Sequence, residues 1–223
     1  MIMAEKPLLL VNFKTYEEGT GERGLKIARI AEKIATEKNA NIAIAVQIAE
    51  IQKFSSSVSI PVYSQHMDGI HYGSNTGWIL PESIKNAGAT GTLLNHSEHP
   101  MKADSLREAV ERAKELNIKT VVCANTPDSA RQMSRLSPDY IAVEPPELIG
   151  GNISVSKAKP EVITNSIKNV NSIPLLVGAG IKNREDVRKA LQLGAAGVLV
   201  SSGIMKALNP ERVLKDLVEG FNV

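Results

Sequence analysis

PLLVGAGIKNREDVRKALQLGAAGVLVSSGIMKALNPERVLKDLVEGF, residues 174–221, sets the architecture. Pro174-Leu175-Leu176-Val177 is a short apolar run of the kind that forms a buried strand, and residues 184–193 carry a helical pattern that stops at Gly194. Gly197-Val198-Leu199-Val200 is a second apolar run, followed by a second helix over 210–221. Strands that are apolar on both faces and alternate with helices predict a parallel sheet covered by helices.

Upstream the same unit recurs. Strands are predicted at 8–13, 42–46, 61–64, 91–95, 119–123 and 141–143. Helical spacing follows them: Leu25, Ala28, Ile30, Ala31, Ile34 and Ala35 within 22–38, then Ile48, Ile51 and Phe54. Further helices are predicted at 81–88, at 105–116, from Pro127 with Ala130, Met133 and Leu136, and at about 159–170. Residues 65–77 are long, Gly-rich and too polar for an element of their own. Eight strands and eight helical segments alternate with no composition break, which predicts a single (β/α)8 barrel over 1–223, compact beside the ~250 residues typical of that fold. An open doubly wound sheet is the competing architecture, and periodicity does not separate the two. Gly19-Thr20-Gly21-Glu22-Arg23-Gly24 fits the dinucleotide fingerprint G-x-G-x-x-G. Five residues separate it from the first strand, and no acid ends the second strand, so the match is read as coincidence.

The totals narrow the function classes. Of 223 residues 43% are hydrophobic and 22% charged, an ordinary globular balance. A net charge of +2 with dispersed basic residues, and aromatics at 4%, argue against nucleic acid as a partner. No apolar run reaches the ~18 residues that span a membrane. A lone cysteine, Cys123, excludes an internal disulfide, and the N-terminal run enters a strand without a signal-peptide pattern. The expectation is a cytoplasmic protein, in which the sequons at Asn95 and Asn152 carry no meaning.

Barrel enzymes place their chemistry at the C-terminal strand ends. The first strand ends Asn12-Phe13-Lys14, with Asn12 and Lys14 on one face and Phe13 on the other. The fourth ends Asn95-His96-Ser97-Glu98, and the sixth ends on Glu144 followed by Pro145-Pro146 and, later, Gly150-Gly151. Two prolines stop the strand and two glycines free the far end, which suggests a base beside a lid. The seventh and eighth strands run into Gly178-Ala179-Gly180 and Ser201-Ser202-Gly203, small loops whose N–H groups can approach a phosphate; 204–207 can add a helical turn. A carboxylate removes a carbon-bound proton when donors such as Lys14 and His96 polarise the adjacent carbonyl. His96 and His99 lack a third ligand at zinc-like spacing, so no metal is assigned.

Val11-Asn12-Phe13-Lys14, Asn95-His96-Ser97-Glu98 and Ala142-Val143-Glu144-Pro145 with Ile149-Gly150 resemble the triosephosphate isomerase family, in the family's order on strands one, four and six. The resemblance spans the chain, and its compact length is similar to the archaeal branch. It implies interconversion of dihydroxyacetone phosphate and glyceraldehyde 3-phosphate through an enediol(ate), without cofactor, in glycolysis and gluconeogenesis. Glu144 would be the base and His96 the neutral electrophile, kept uncharged by the helix N-terminus after it. Lys14 would supply fixed charge and pair with Glu98 at rest, and Asn12 would hydrogen-bond substrate. Ile149, Gly150, Gly180, Ser201 and Ser202 would complete the substrate site, and 145–151 would be the lid. The loop with Thr76-Gly77-Trp78 resembles the family's interface loop and implies a homo-oligomer, a homotetramer by the archaeal likeness or else a dimer.

Departures from the family pattern are Asn95 for glycine, His99-Pro100 for two arginines, and Pro145-Pro146-Glu147 for Pro-Val-Trp. Val177-Gly178-Ala179-Gly180 stands for Tyr-Gly-Gly-Ser, so the hydroxyls that latch the family's lid are absent. Two other function classes compete: a silent barrel that only binds a phosphorylated metabolite, and a nicotinamide-dependent oxidoreductase using 19–24.

Overall fold

Eight parallel strands meet edge to edge: β1 (Leu8–Asn12), β2 (Asn41–Val46), β3 (Val62–Ser64), β4 (Gly91–Leu94), β5 (Lys119–Ala124), β6 (Tyr140–Val143), β7 (Leu175–Val177) and β8 (Gly197–Val200). The computed structural model describes residues 6–148, 154–170 and 172–222. Each strand pairs with the next, and β8 returns to β1 with Leu8 opposite Gly197 and Val11 opposite Val200. The sheet is a closed barrel, which removes the open doubly wound alternative. Closure is tight, because a Cβ at position 197 would sit 2.1 Å from the Leu8 carbonyl oxygen.

Strands apolar on both faces are explained by two packed layers. Leu8, Leu10, Ala43, Ala45, Tyr63, Leu93 and Leu199 point into the barrel, while Leu9, Val11, Ile42, Ile44 and Val46 point at the helices. Each leucine, isoleucine or valine so buried contributes ~1.5–3 kcal/mol. The surrounding helices are α1 (Gly21–Lys38), α2 (Ile51–Ser55), α3 (Pro81–Asn86), α4 (Ala103–Glu115), α5 (Pro127–Ser134), α6 (Val155–Ala158), α7 (Pro160–Asn169), α8 (Arg184–Gln192), α9 (Ser202–Met205) and α10 (Pro210–Glu219). Each longer one buries a single stripe, as α1 does with Leu25, Ala28, Ala31 and Ile34. Their starts follow local chemistry: Thr126 and Ser129 form a capping box on α5, and Asn183 and Asn209 accept the N–H of Asp186 and Arg212.

Two differences from the sequence reading are local. The helix expected at 159–170 is α7, and a short helix that was not expected, α6, precedes it; Pro160 has no N–H to continue α6 and instead opens α7. The turn expected at 204–207 begins earlier, at Ser202. Two of the glycines of 19–24 serve packing, since a Cβ on Gly19 would lie 2.7 Å from the Phe13 carbonyl oxygen and one on Gly24 would lie 2.4 Å from that of Gly19, while Gly21 takes a left-handed φ of +58°.

The 65–80 connection lies against α4. A Cβ at Gly69 would meet the Ala109 nitrogen at 2.6 Å, and Arg112 Nε donates to the Ile70 carbonyl at 3.2 Å. Asp68 and Ile79 close its base with N–H···O bonds of 3.0 and 2.7 Å. This loop presents Tyr72 and Trp78 to the exterior, 73% and 58% exposed.

Candidate active site

At the end of β1 the alternation that buries Leu8 and Leu10 also turns Asn12 inward, only 4% exposed, while Phe13 goes to the helix side and packs edge-on against Phe54. Lys14 follows with φ +49°, a left-handed conformation uncommon for a side-chain-bearing residue. Two bonds hold it there. Its N–H donates to Asn12 Oδ1 at 3.0 Å, and its carbonyl accepts Gln65 Nε2 at 2.9 Å. The ammonium pairs with Glu98 Oε1 at 2.6 Å and is 13% exposed.

His96 follows Asn95, whose φ of +57° explains why a residue tolerant of the left-handed region stands where the family has glycine. Asn95 is tied down by Nδ2 to the Cys123 carbonyl and by Oδ1 from the Met101 N–H. The His96 ring is buried, and its Nδ1 accepts the Glu98 N–H at 3.1 Å. An imidazolium has no acceptor nitrogen, so this bond selects the neutral ring with its proton on Nε2. Burial lowers the ring's pKa first, the nearby Lys14 charge lowers it further, and Glu98 opposes them. The donor belongs to a turn; α4 starts only at Ala103, so the helix N-terminus expected just after His96 is replaced by a single backbone N–H.

Glu144 extends the β6 ladder by one bond, its N–H donating to the Ala124 carbonyl at 2.9 Å, before a 3-10 turn over Pro146–Leu148. Its carboxyl is 3.5 Å from His96 Nε2, measured to Oε2, which has no hydrogen-bond partner. Burial pushes its pKa up to about 7; Lys14 pulls it down, Glu98 pushes it up, and the Ala179 N–H bonded to the carboxylate pulls it down. The carboxyl rests on Gly178, where a Cβ would lie 2.4 Å from Glu144 Cγ and 2.5 Å from Oε1. Ala179 and Gly180 both sit at left-handed φ, +67° and +74°, turning the loop under the carboxylate.

Asn12, Lys14, His96 and Glu144 therefore share one cleft of about 210 Å³ with Gly180, Ser201 and Ser202. Ser201 precedes α9, and its hydroxyl is buried without a partner. Ile149, Gly150 and Gly151, the far end of the 145–151 segment, lie outside the described residues. His99 packs its ring against that of His66, with the centroids 4.2 Å apart. No group of three His, Cys, Asp or Glu side chains suited to a metal occurs among the described residues. Gln65 escaped the sequence reading, which took residues 65–77 only as a long polar connection. Gly178 and Ala179 were read there as part of a phosphate loop, with no sign that they lie against Glu144.

Comparisons with known proteins identify the family. A profile of the family described as Triosephosphate isomerase matches residues 7–219. A triosephosphate isomerase of Methanocaldococcus jannaschii is 47% identical, covering 95% of this chain and 99% of the relative. One of Metallosphaera sedula is 48% identical over 96% and 95% of the two chains. The crystal structure of triosephosphate isomerase from Bartonella henselae, 18% identical, superposes with a TM-score of 0.73 over 97% of this chain and 98% of that one, a likeness of fold.

Proposed function

Because this chain belongs to the triosephosphate isomerase family and is an isomerase of triose phosphates, we propose that its cleft carries the reaction through Glu144, His96, Lys14 and Asn12. One observation carries the assignment: an unpartnered carboxylate oxygen with raised affinity for protons lies 3.5 Å from the protonated nitrogen of a neutral imidazole. Glu144 takes the proton from C1 of dihydroxyacetone phosphate while His96 Nε2–H polarises the carbonyl at C2. His96 passes the hydroxyl proton from O1 to the oxygen on C2, and the enediolate then takes the carbon-bound proton back from Glu144 at C2, giving glyceraldehyde 3-phosphate. Only protons move, so no cofactor enters the scheme. Lys14 stabilises the developing oxyanion with its ammonium, which a 2.6 Å pair with Glu98 holds at the cleft. Asn12 holds Lys14 by its backbone and offers its amide to the substrate.

The phosphate goes to the loops after β7 and β8, where the N–H groups of Gly180, Ser201 and Ser202 border the cleft; Ile149 and Gly150 complete this reading from the lid side. Residues 145–151 close over the substrate, and exclusion of water protects the intermediate from loss of phosphate.

A coupled assay with glyceraldehyde 3-phosphate tests the reaction, and its pH dependence tests the base. Glu144 must be ionised to accept a proton, so kcat/KM is expected to rise with pH through an acid limb near the about 7 of its pKa and to fall below it. A profile with no acid limb would remove Glu144 from the role. No turnover by pure protein would leave the silent phosphate-binding barrel as the better reading.

We also propose a homo-oligomer, a tetramer ahead of a dimer, built through the 65–80 loop. Support comes from Trp78 and Tyr72, large side chains left exposed on a connection that Gly69 and Arg112 hold firmly on α4. Light scattering on the parent is expected to give a mass of four chains, and Trp78→Glu to lower it. A monomeric parent, or a variant with undiminished mass, would set this interface aside.

A further inference from the structure

We propose that Asp186, on α8 and outside the cleft, is a positioning residue that sets the β7 loop against Glu144. Its carboxylate is buried, with the residue 3% exposed, and it holds two separate segments. Oδ2 accepts the Lys182 N–H at 3.0 Å, fixing the far end of the loop after β7. Oδ1 accepts the Ser154 hydroxyl at 2.9 Å and pairs with Lys157 at 2.7 Å, while the Asp186 carbonyl accepts the Ser156 hydroxyl at 3.2 Å. The α6 segment so anchored returns to the same loop, where the Val155 N–H donates to the Ala179 carbonyl at 3.2 Å.

Both ends of the 179–182 turn are thus tied to one carboxylate, directly at Lys182 and through Val155 at Ala179. A turn with Ala179 in the left-handed region does not hold itself, since a Cβ disfavours that conformation. The Ala179 peptide is bonded on both sides, its carbonyl to Val155 and its N–H to the Glu144 carboxylate. Simple helix capping does not account for Asp186. Asn183 already accepts the Asp186 N–H, and the Asp186 side chain reaches back past that cap and across to α6.

The proposal rests on Glu144 as the base and is read through it. The charged or titratable groups facing Glu144 are His96, Lys14, Glu98 and the Cys123 thiol, all left intact by changes at 186. A displaced Ala179 N–H stabilises the carboxylate less, so Glu144 binds its proton more tightly and the acid limb of kcat/KM moves to higher pH. Asp186→Ala is expected to lower kcat about tenfold and raise the limb by about half a unit or more. Asp186→Asn keeps the volume but offers one acceptor for two donors and loses Lys157. It is expected to fold and to show the same change at smaller size, about threefold in kcat. If the alanine variant does not fold, the asparagine variant carries the test. Either variant with the parent's kcat and acid limb, whatever its Tm, overturns the proposal. Glu144→Gln run alongside separates the premises: turnover surviving there removes the base assignment, whereas its loss beside unchanged Asp186 variants removes only the positioning role.

Discussion

Glu144→Gln is expected to reduce kcat by about 10³-fold while leaving KM within a few-fold of the parent. The amide has nearly the shape of the carboxyl, so it still fits over Gly178, where a Cβ would leave only 2.4 Å to Glu144 Cγ. What it lacks is a lone pair basic enough to take a proton from carbon. Loss of about 10³ corresponds to ~4 kcal/mol of barrier, a size that a lost base explains and a lost surface contact does not. Glu144→Asp gives the complementary measure, because it keeps the base and withdraws it by one methylene, a displacement for which about 10²-fold is expected. Steady-state kinetics on both variants, with calorimetric binding of a phosphorylated substrate analogue, check the pair. A glutamine variant within tenfold of the parent would falsify the assignment.

Lys14→Met is expected to lower kcat/KM by about 10³-fold, since it removes the cation beside the developing oxyanion and keeps the length of the side chain. Its second effect has a definite sign. Lys14 holds down the pKa of Glu144 and of His96, so without it both rise. Glu98, released from its 2.6 Å pair, adds negative charge that pushes Glu144 further the same way. The acid limb should therefore move above about 7, and at neutral pH a larger share of the base is protonated and idle. A purely packing role for the lysine stem predicts loss without that movement. A pH profile of the variant decides, and an unmoved limb or a loss under tenfold sinks the electrostatic role.

The barrel was legible because of what it buries. A strand with helices outside and a packed interior inside must be apolar on both faces, so each strand appears as an uninterrupted run, and eight of them can be counted. Lys14, His96 and Glu144 were legible because polar groups at the ends of such runs stand out, and because their neighbours resemble one family. The supporting residues were hidden for a different reason. Gln65 holds the Lys14 carbonyl across 51 positions, and Asp186 holds Ser154 across 32. Each is an ordinary polar residue on a loop or helix, with nothing local to mark the partner. The helix imagined behind His96 failed on the same ground, since a turn N–H does its work and α4 begins later.

By itself, then, the amino-acid order determined the alternation of strands and helices and placed a lysine, a histidine and a glutamate at strand ends. Those outcomes follow from short-range chemistry: apolar runs, prolines that stop a strand, and glycines that free a loop. Only the tertiary structure decided that the sheet closes, with Gly197 admitting the Leu8 backbone, and which protonation states the site holds. A pKa responds to water removed and to charges arriving through space. Glu144 reaches about 7 because the folded chain strips its solvent and brings Lys14, Glu98 and the Ala179 N–H around it from β1, the turn after β4 and the loop after β7.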